Sequence, residues 1–460
     1  MILVENSLEL YGLKMRSPKV PPDAMEILSE LQGDADLLVK VIQTKPVDTK
    51  GRYLHWEEMR YRKPPEGLTS KQWWSGTRLA RSRTAREVSL YDKDLRKFTF
   101  TPCEATEEDL HWLDINSAGQ ISADESLIDP GLKDTYLIKS LVDEAISSSQ
   151  LEGASTTRNV AKEMIRQGRK PKDKSETMIL NNYFAMQFIR DVKSESLTIE
   201  MILELHQILT QGTLEEEKSG QFRTDEDDIH VVDVHDEIVH TPPPVDQLPA
   251  RLKQLVAFAN EESNDGFINP IIRAITLHFM LAYDHPFVDG NGRTARALFY
   301  WHMARSGYWL VEYVSISEII KRAPNKYGRA YLFTETDHAD LTYFICHQLE
   351  VIRNAVSEVH KKLEKRFDEI AQAREIITKS ERFRNKLNHR QLSLLRHALQ
   401  HPDFTYKIKG HQNSHGTVYE TARRDLVRMS ELGLLEMGKA GNSFVFSVPP
   451  ELTEILESDE

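Results

Sequence analysis

The chain has 460 residues, with 59 lysines and arginines against 71 aspartates and glutamates, and a net charge of −12 at pH 7. This balance argues against a protein whose whole surface coats nucleic acid or anionic lipid, while a hydrophobic fraction of 40% is enough for packed cores. Only two cysteines and no long apolar stretch argue against a disulfide framework and a membrane span, so we expect a soluble, cytoplasmic protein of several domains.

Residues 1–85 are predicted to form an N-terminal appendage. Half of the six tryptophans (Trp56, Trp73 and Trp74) lie in it, next to a basic run and two prolines. Aromatic residues in this setting favour a small hydrophobic core over a target-docking surface. No catalytic constellation occurs in the segment, so its role stays open.

Two helical regions are predicted next, over residues 86–200 and 201–352. Apolar residues recur at helical spacing over residues 136–151, 176–192, 198–209 and 245–260. Asn269-Pro270 predicts the start of a further helix, and another runs from Asn291 towards Gly307.

Residues 229–244 interrupt the helical pattern. Alternating Val and Ile residues around Asp236-Glu237 predict a β-hairpin that ends at a run of prolines. His230, His235 and His240 are five residues apart and share no helical face, so a three-histidine metal site is not favoured.

The segment from His285 to Arg296 reads HPFVDGNGRTAR and joins two predicted helices. Its D-G-N-G run leaves backbone N–H groups unshielded, and the N-terminus of the next helix adds a seat for phosphate oxygens. Arg293 and Arg296 supply bidentate donors. Asp289 supplies a hard oxygen ligand for Mg²⁺, and His285 can accept a proton near neutral pH. The combination indicates phosphate-transfer chemistry without a Walker lysine or a kinase glycine loop; the alternative is a plain helix–helix turn.

The same twelve residues resemble the Fic family signature, H-P-F-x-D-G-N-G-R-x-x-R, at every defined position. The helix before the motif and the hairpin with its proline stop fit the family as well. The resemblance covers residues 130–345 well and the first 85 residues poorly. It implies a mainly α fold: a helical Fic core with a β-hairpin flap, to which the appendage and a C-terminal module are added.

The resemblance also implies an activity, the transfer of AMP from ATP to a Ser, Thr or Tyr hydroxyl of a target protein. In that mechanism His285 removes the hydroxyl proton, pyrophosphate leaves, and Asp289 holds Mg²⁺ across the phosphates. The flap is implied to pair with a segment of the target by strand addition.

Five further residues of the motif receive roles from the resemblance. Gly290, Asn291 and Gly292 are implied to cradle the phosphates. Arg293 is implied to grip the γ-phosphate, and Arg296 to assist it or to brace the loop.

Upstream, Ser148-x-x-x-Glu152-Gly153 resembles the inhibitory motif of Fic proteins whose brake lies N-terminal to the core. The resemblance implies that Glu152 pairs with Arg293 and so occupies the guanidinium meant for the γ-phosphate, while Gly153 ends the helix. Taken alone, this short pattern is most often a capped helix end. Its place upstream of a complete core motif favours the brake.

The C-terminal part is predicted to contain a charged connecting helix over residues 353–385 and a winged helix-turn-helix over residues 386–450. The latter consists of a helix, a polar turn, a second helix and two short alternating runs. Residues 382–446 hold 11 basic and 5 acidic residues, a net charge of +6 in an acidic chain. Arg423, Arg424 and Arg428 lie on the second helix, where DNA contacts would form. Docking of a protein is the alternative.

Three functions therefore stay open at this point. The first is an adenylyltransferase held back by Glu152, and the second removes AMP from a modified protein with the same site. The third is a DNA-binding regulator whose core senses a nucleotide; the intact His285 argues against it, because a sensor needs no base. A homodimer is plausible from the family, and donors other than ATP are not excluded by the residues.

Overall fold

The computed structural model describes residues 8–9, 16–31, 33–118, 130–233, 235–379, 386–401, 403–440 and 443–457. The described residues up to 118 and those from 141 to 356 form one compact unit; residues 130–140 and those from 357 onward form another. Among the helices within these ranges, none combines the length and apolar character that a membrane crossing would need.

The N-terminal appendage is a small helical layer followed by a hairpin. Its elements are β1 (Leu8–Glu9), α1 (Ala24–Glu30), α2 (Ala35–Ile42), α3 (Trp56–Met59), α4 (Ser70–Ser82), β2 (Arg86–Tyr91) and β3 (Lys97–Phe100). Trp73 and Trp74 are buried with Leu31 and Val41 in one cluster. The prediction that tryptophans build a core here is confirmed for these two residues.

The helical core follows the appendage, and most of it lies in the same unit. Its elements are α5 (Glu104–Leu113), α6 (Pro130–Leu151), α7 (Arg158–Gln167), α8 (Lys174–Asp191), α9 (Ile199–Thr210), β4 (Val231–Val232), β5 (Ile238–His240), α10 (Leu248–Ala259), α11 (Pro270–Asp284), α12 (Asn291–Arg305), α13 (Ile316–Arg322), α14 (Pro324–Thr336) and α15 (Thr342–Lys379). Helix α15 begins about ten residues before the predicted connecting helix, and residues 380–385 of that prediction lie outside the described residues.

Helices α11 and α12 form the centre of the core. The Asn269 side chain caps α11 by accepting from the Ile271 N–H, and Pro270 occupies the first turn, as predicted. Nearly every residue of both helices is buried. The loop between them is therefore held on two buried supports.

The predicted hairpin is present as β4 and β5, with Val231 opposite His240 and Val232 opposite Ile238. The sheet order is β1-β4-β5, because Leu8–Glu9 pairs in parallel with Val231–Val232. The outer edge of β4 is therefore occupied by a segment from the beginning of the chain.

The C-terminal unit has its own hydrophobic core around Leu395, Leu426 and Phe446. Its elements are α16 (His389–Gln400), β6 (Tyr406–Lys407), α17 (Ile408–His415), α18 (Tyr419–Glu431), β7 (Glu436–Ala440), β8 (Ser443–Ser447) and α19 (Leu452–Glu457). The strands form an antiparallel sheet of order β6-β8-β7.

A polar turn was predicted where β6 and α17 lie, and that prediction is wrong. Ile408 and His411 are both buried, so this polar segment folds as a helix on two inward-facing side chains.

Candidate active site

The loop from His285 to Asn291 has a residue with left-handed backbone angles near each end. His285 has φ +46 and terminates α11, and Gly290 has φ +87 and caps α12. A Cβ on Gly290 would lie 3.0 Å from the Thr210 side chain, so glycine is needed there for space as well as for backbone angle. The Asn291 side chain closes the loop, because its Oδ1 accepts from the Phe287 N–H at 2.9 Å and its Nδ2 donates to the Phe287 carbonyl at 2.8 Å.

The imidazole of His285 is arranged as a base. Its Nδ1 donates to the Ala282 carbonyl at 3.1 Å. This contact places the proton on Nδ1, and the buried Nε2 has no partner among the described residues. Burial is the main cause that lowers the pKa of His285 to about 4; the Ala282 carbonyl has a smaller effect that raises it, and His240 and Arg223 have still smaller effects that lower it. The ring is therefore neutral at physiological pH, with a free lone pair.

Two residues outside the motif hold this loop, and sequence reasoning missed both. Arg223 donates from Nε to the His285 carbonyl at 2.8 Å, and its own N–H donates to the Pro286 carbonyl at 2.8 Å. His206 stacks on Phe287 with ring centroids 3.7 Å apart and contacts the Asp289 carbonyl through Nε2 at 2.8 Å. Both are isolated polar residues that lie more than 60 positions upstream, so no local pattern marked them.

Arg293 is buried in the first turn of α12 and does not line the cleft described below. Its Nη1 donates to the Leu209 carbonyl at 3.0 Å, and its Nη2 donates to Asp289 Oδ1 at 3.3 Å. Burial raises the pKa of Asp289, but the Arg293 charge and the Gly290 N–H outweigh it, so that pKa lies below its ordinary value. Asp289 is thus ionised, and Oδ2 has no hydrogen bond to a described residue.

Glu152 follows α6 directly and places its carboxylate against the loop. Oε1 accepts from Arg296 Nη2 at 2.8 Å. A Cβ on Gly292 would lie 2.2 Å from the same oxygen, so any larger residue would displace the carboxylate. Gly153, with φ +90, turns the chain after the helix as expected. A carboxylate oxygen therefore lies beside Gly292, one of the residues 290–292 whose backbone N–H groups are the expected nest for phosphate.

The prediction that Glu152 pairs with Arg293 is wrong, because its partner is Arg296. The two arginines are three residues apart on α12, but Arg293 is directed to α9 and Arg296 to α6. Arg296 also donates from Nε to Ser148 Oγ at 2.8 Å and from Nη2 to the Ser148 carbonyl at 3.1 Å. Although burial lowers it, Glu152 holds the pKa of Arg296 above its ordinary value.

A cleft opens beside this loop. It is lined by His285, Gly292 and Arg296, by Val231, Val239 and His240 of the hairpin, and by one face of α14 that includes Tyr327, Tyr331 and Glu335. The cavity volume is about 100 Å³. Ligand pockets usually hold about 300–1,000 Å³, so a large ligand requires Glu152 or the hairpin to move.

Tyr327 and Tyr331 both line the cleft, and Tyr327 is also buried in the core. Their hydroxyls are 3.2 Å apart, and Tyr327 also bonds to Nε2 of His278 at 2.8 Å. His278 is fully buried, so this hydrogen bond lies inside the core.

The hairpin is fastened to the core by His240. Its Nε2 contacts the Tyr283 carbonyl at 2.8 Å, and its Nδ1 contacts Glu335 at 2.9 Å. These two contacts join β5 to both α11 and α14 through one side chain. No cluster of three metal-ligating side chains occurs in the part of the chain that the structure describes.

Known proteins resemble this region. Residues 196–303 match the sequence model of the Fic/DOC family. The chain is 27% identical over 219 residues to the protein adenylyltransferase Fic of Nematostella vectensis, an alignment that covers 46% of each chain. It is 29% identical over 181 residues to the protein adenylyltransferase fic-1 of Caenorhabditis elegans, covering 38% of this chain and 33% of that one. The chain thus spans less than half the length of these curated relatives.

A solved structure, that of a Fic family protein from Desulfovibrio desulfuricans G20, aligns with 76% of this chain and 98% of its own, at 17% identity and a TM-score of 0.48. The family match and the loop geometry coincide on the same residues. Residues 196–303 of this chain are thus similar to the Fic/DOC family in sequence, and they include the loop described above.

Proposed function

We propose that the chain is a protein adenylyltransferase that transfers AMP from ATP to a hydroxyl of a target protein and is held back by Glu152. The observation that carries the proposal is the position of the Glu152 carboxylate, which lies against Gly292 and bonds to Arg296 at 2.8 Å. A site that seats one anionic oxygen beside a neutral, unpaired imidazole suits a phosphate group next to a base.

The chemical step follows from the tautomer of His285. Nε2 takes the proton of the target hydroxyl, whose oxygen attacks the α-phosphorus as the bond to the leaving pyrophosphate breaks. The Ala282 carbonyl accepts from Nδ1 and holds the ring in this orientation throughout. Arg223 keeps the backbone of the base in place through the His285 carbonyl.

The phosphates are assigned to the nest and to Arg296, and this revises the role given to Arg293. Arg293 supports Asp289 and the end of α9, whereas Arg296 lines the cleft. Asp289 fits Mg²⁺, since it is ionised, about 25% exposed and has one oxygen free of hydrogen bonds. When bound, the ion would neutralise phosphate charge; Asp289 is the residue that would hold it.

The brake acts by occupation. Ser148 fixes Arg296 on one side while Glu152 uses the remaining face of the guanidinium, so a γ-phosphate meets a carboxylate where it needs a cation. Release requires Glu152 to withdraw from Gly292.

The target is proposed to approach the hairpin, with a segment added to the edge of β4. Leu8–Glu9 holds that edge in the structure, so a target segment has to displace it. Because main-chain hydrogen bonds make this contact, it places a hydroxyl near His285 without demanding much sequence.

Removal of AMP from a modified protein is the second candidate. It rests on the position of Glu152 close to the nest, where the carboxylate could orient a water molecule. Offering the purified chain a pre-modified target distinguishes the two directions.

DNA binding by the C-terminal unit is a separate proposal. Arg424 is exposed on α18, while Arg423 and Arg428 pair with Glu420 and Glu431. These pairs reduce the free positive charge of the helix, so we expect weak, salt-sensitive binding in gel-shift experiments. We also propose a homodimer and a cytoplasmic location, which light scattering and cell fractionation test.

The deciding experiment for the main proposal uses ATP labelled on the α-phosphate. Incubation of purified Glu152→Gly protein with a cell lysate should label specific proteins and the chain itself. His285→Ala in the same background should label none, and labelling that survives this substitution would refute the mechanism.

A further inference from the structure

Helix α14 has two faces with different partners. Tyr327, Tyr331 and Glu335 lie on the face that lines the cleft. On the opposite face, Phe333 stacks on His55 of the appendage, with ring centroids 4.4 Å apart and planes 9° apart. His55 also contacts Thr336 Oγ1 through Nε2 at 3.3 Å. The appendage therefore supports the back of the helix whose front is a wall of the cleft.

The turn after α14 is held more firmly still. His338 and Ala339 have φ +54 and +59, and two successive non-glycine residues in this region cost roughly 1–2 kcal/mol each. The turn directs two carboxylates inward, and Arg78 Nη1 of α4 lies 3.4 Å from Asp337 and 3.6 Å from Asp340. Strain of this kind persists only where surrounding contacts impose the conformation.

Tyrosines extend the network to a second arginine. The Tyr343 hydroxyl donates to Asp337 at 2.6 Å and accepts from Arg81 Nη1 at 2.7 Å. The Tyr53 hydroxyl donates to Asp340 at 2.6 Å. Arg81 is buried and also donates to two carbonyls of the appendage, at Pro46 and Leu54. Two arginines thus balance the charges of two carboxylates in one buried site. The arginines are more than 250 residues away from the carboxylates in sequence.

We propose that the N-terminal appendage supports the nucleotide site from behind α14, and that Arg78 and Arg81 are positioning residues that set the adenosine-facing wall of the cleft. The inference rests on the proposed function in one respect, the identity of the ligand. If the triphosphate lies on Gly290, Gly292 and Arg296, the adenine ring has to lie along the remaining cleft. The α14 wall of that cleft presents two tyrosine rings. Moving α14 therefore changes the contact with adenosine and leaves the phosphate seat in place.

The wall and the phosphate seat can be tested separately in the Glu152→Gly background. Isothermal titration measures the Kd of adenosine and of inorganic tripolyphosphate, each for the parent, for Arg78→Ala and for Arg83→Ala. Arg83 is exposed at the end of the same helix and serves as the matched control. We expect Arg78→Ala to weaken adenosine binding about 3- to 30-fold, with tripolyphosphate binding and the control unchanged.

Each outcome is decisive. Unchanged adenosine affinity in folded Arg78→Ala overturns the inference, and an equal loss for both ligands shows a merely structural role. A parent that binds neither ligand refutes the proposed function instead. Should Arg78→Ala fail to fold by circular dichroism, Asp340→Asn replaces it, since it keeps the side-chain volume and the same two readouts apply.

Discussion

Glu152→Gly tests the proposed brake, because it removes one carboxylate and leaves the site otherwise intact. In the structure Glu152 contributes one of the three hydrogen bonds made by the Arg296 guanidinium, and Ser148 accepts the other two. The guanidinium therefore stays oriented after the substitution and becomes available to phosphate.

The magnitude follows from the strength of that contact. Hydrogen bonds to charged groups contribute about 1.5–3 kcal/mol. Since about 1.4 kcal/mol corresponds to a factor of ten, the loss of the competing carboxylate should raise kcat/KM about 10- to 150-fold. Glu152→Gln keeps an acceptor oxygen without the charge, so its rate should lie between those of the parent and of Glu152→Gly.

The assay measures initial rates of label transfer from α-labelled ATP at several ATP concentrations. Glu262→Gly removes an exposed carboxylate remote from the motif in sequence and should leave the rate unchanged. Equal rates for the parent and Glu152→Gly, with His285→Ala inactive, would show that the site is catalytic but that Glu152 does not restrain it.

Three further predictions follow from other contacts. Because burial holds the pKa of His285 at about 4, kcat/KM should stay nearly constant from pH 8 down to about pH 5 and fall only as the base is protonated below that; a decline centred near pH 6.5 would contradict it. Arg296→Ala should abolish tripolyphosphate binding in titrations. Arg293→Ala should lower the unfolding midpoint, because it leaves Asp289 and a buried carbonyl without a hydrogen-bond partner, at a cost of about 1–3 kcal/mol. Replacing Leu8 and Glu9 together by proline removes both N–H donors from the strand, so target labelling should rise while ATP affinity stays the same.

Controls separate these effects from general damage. Ser17→Pro alters an exposed residue outside any helix or strand near the start of the chain and should not change labelling. Arg296→Ala also removes three hydrogen bonds at a buried site, so its unfolding midpoint should fall too. Tripolyphosphate binding that survives Arg296→Ala and is lost in Arg293→Ala would reverse the two assignments.

The loop that forms the site was predictable because its signals are local. Asn269-Pro270 begins one buried helix, Gly290 begins the next, and both act within a few residues of their own position. The chemistry of the loop follows from the same segment, since His285 and Asp289 both lie within five residues of Gly290. Local backbone preference was sufficient here.

The pairing of the arginines was not predictable by the same means. Arg293 and Arg296 are the same residue type and lie at similar distances from the loop in sequence. Only the positions of α6 and α9 around α12 decide which of them contacts Glu152. His206 and Arg223 escaped notice for a related reason, because each supports the loop through a backbone carbonyl. Carbonyl acceptors leave no mark in a sequence.

The role of the appendage depends on contacts that are remote in sequence. Arg78 and Asp337 are 259 residues apart, and their strained turn is recognisable only from backbone angles. In the C-terminal unit, the polar composition of residues 408–415 predicted a turn. The segment is the helix α17, which packs through two buried side chains. Tertiary packing overrides local preference in both places.

The most direct test of the central claim compares ATP labelled on the α-phosphate with ATP labelled on the γ-phosphate, each given to the Glu152→Gly protein. If the loop seats the triphosphate with the α-phosphorus facing His285, protein is labelled from the first substrate alone, and only while His285 is present. Labelling from the γ-phosphate, or from neither, would contradict the proposed geometry.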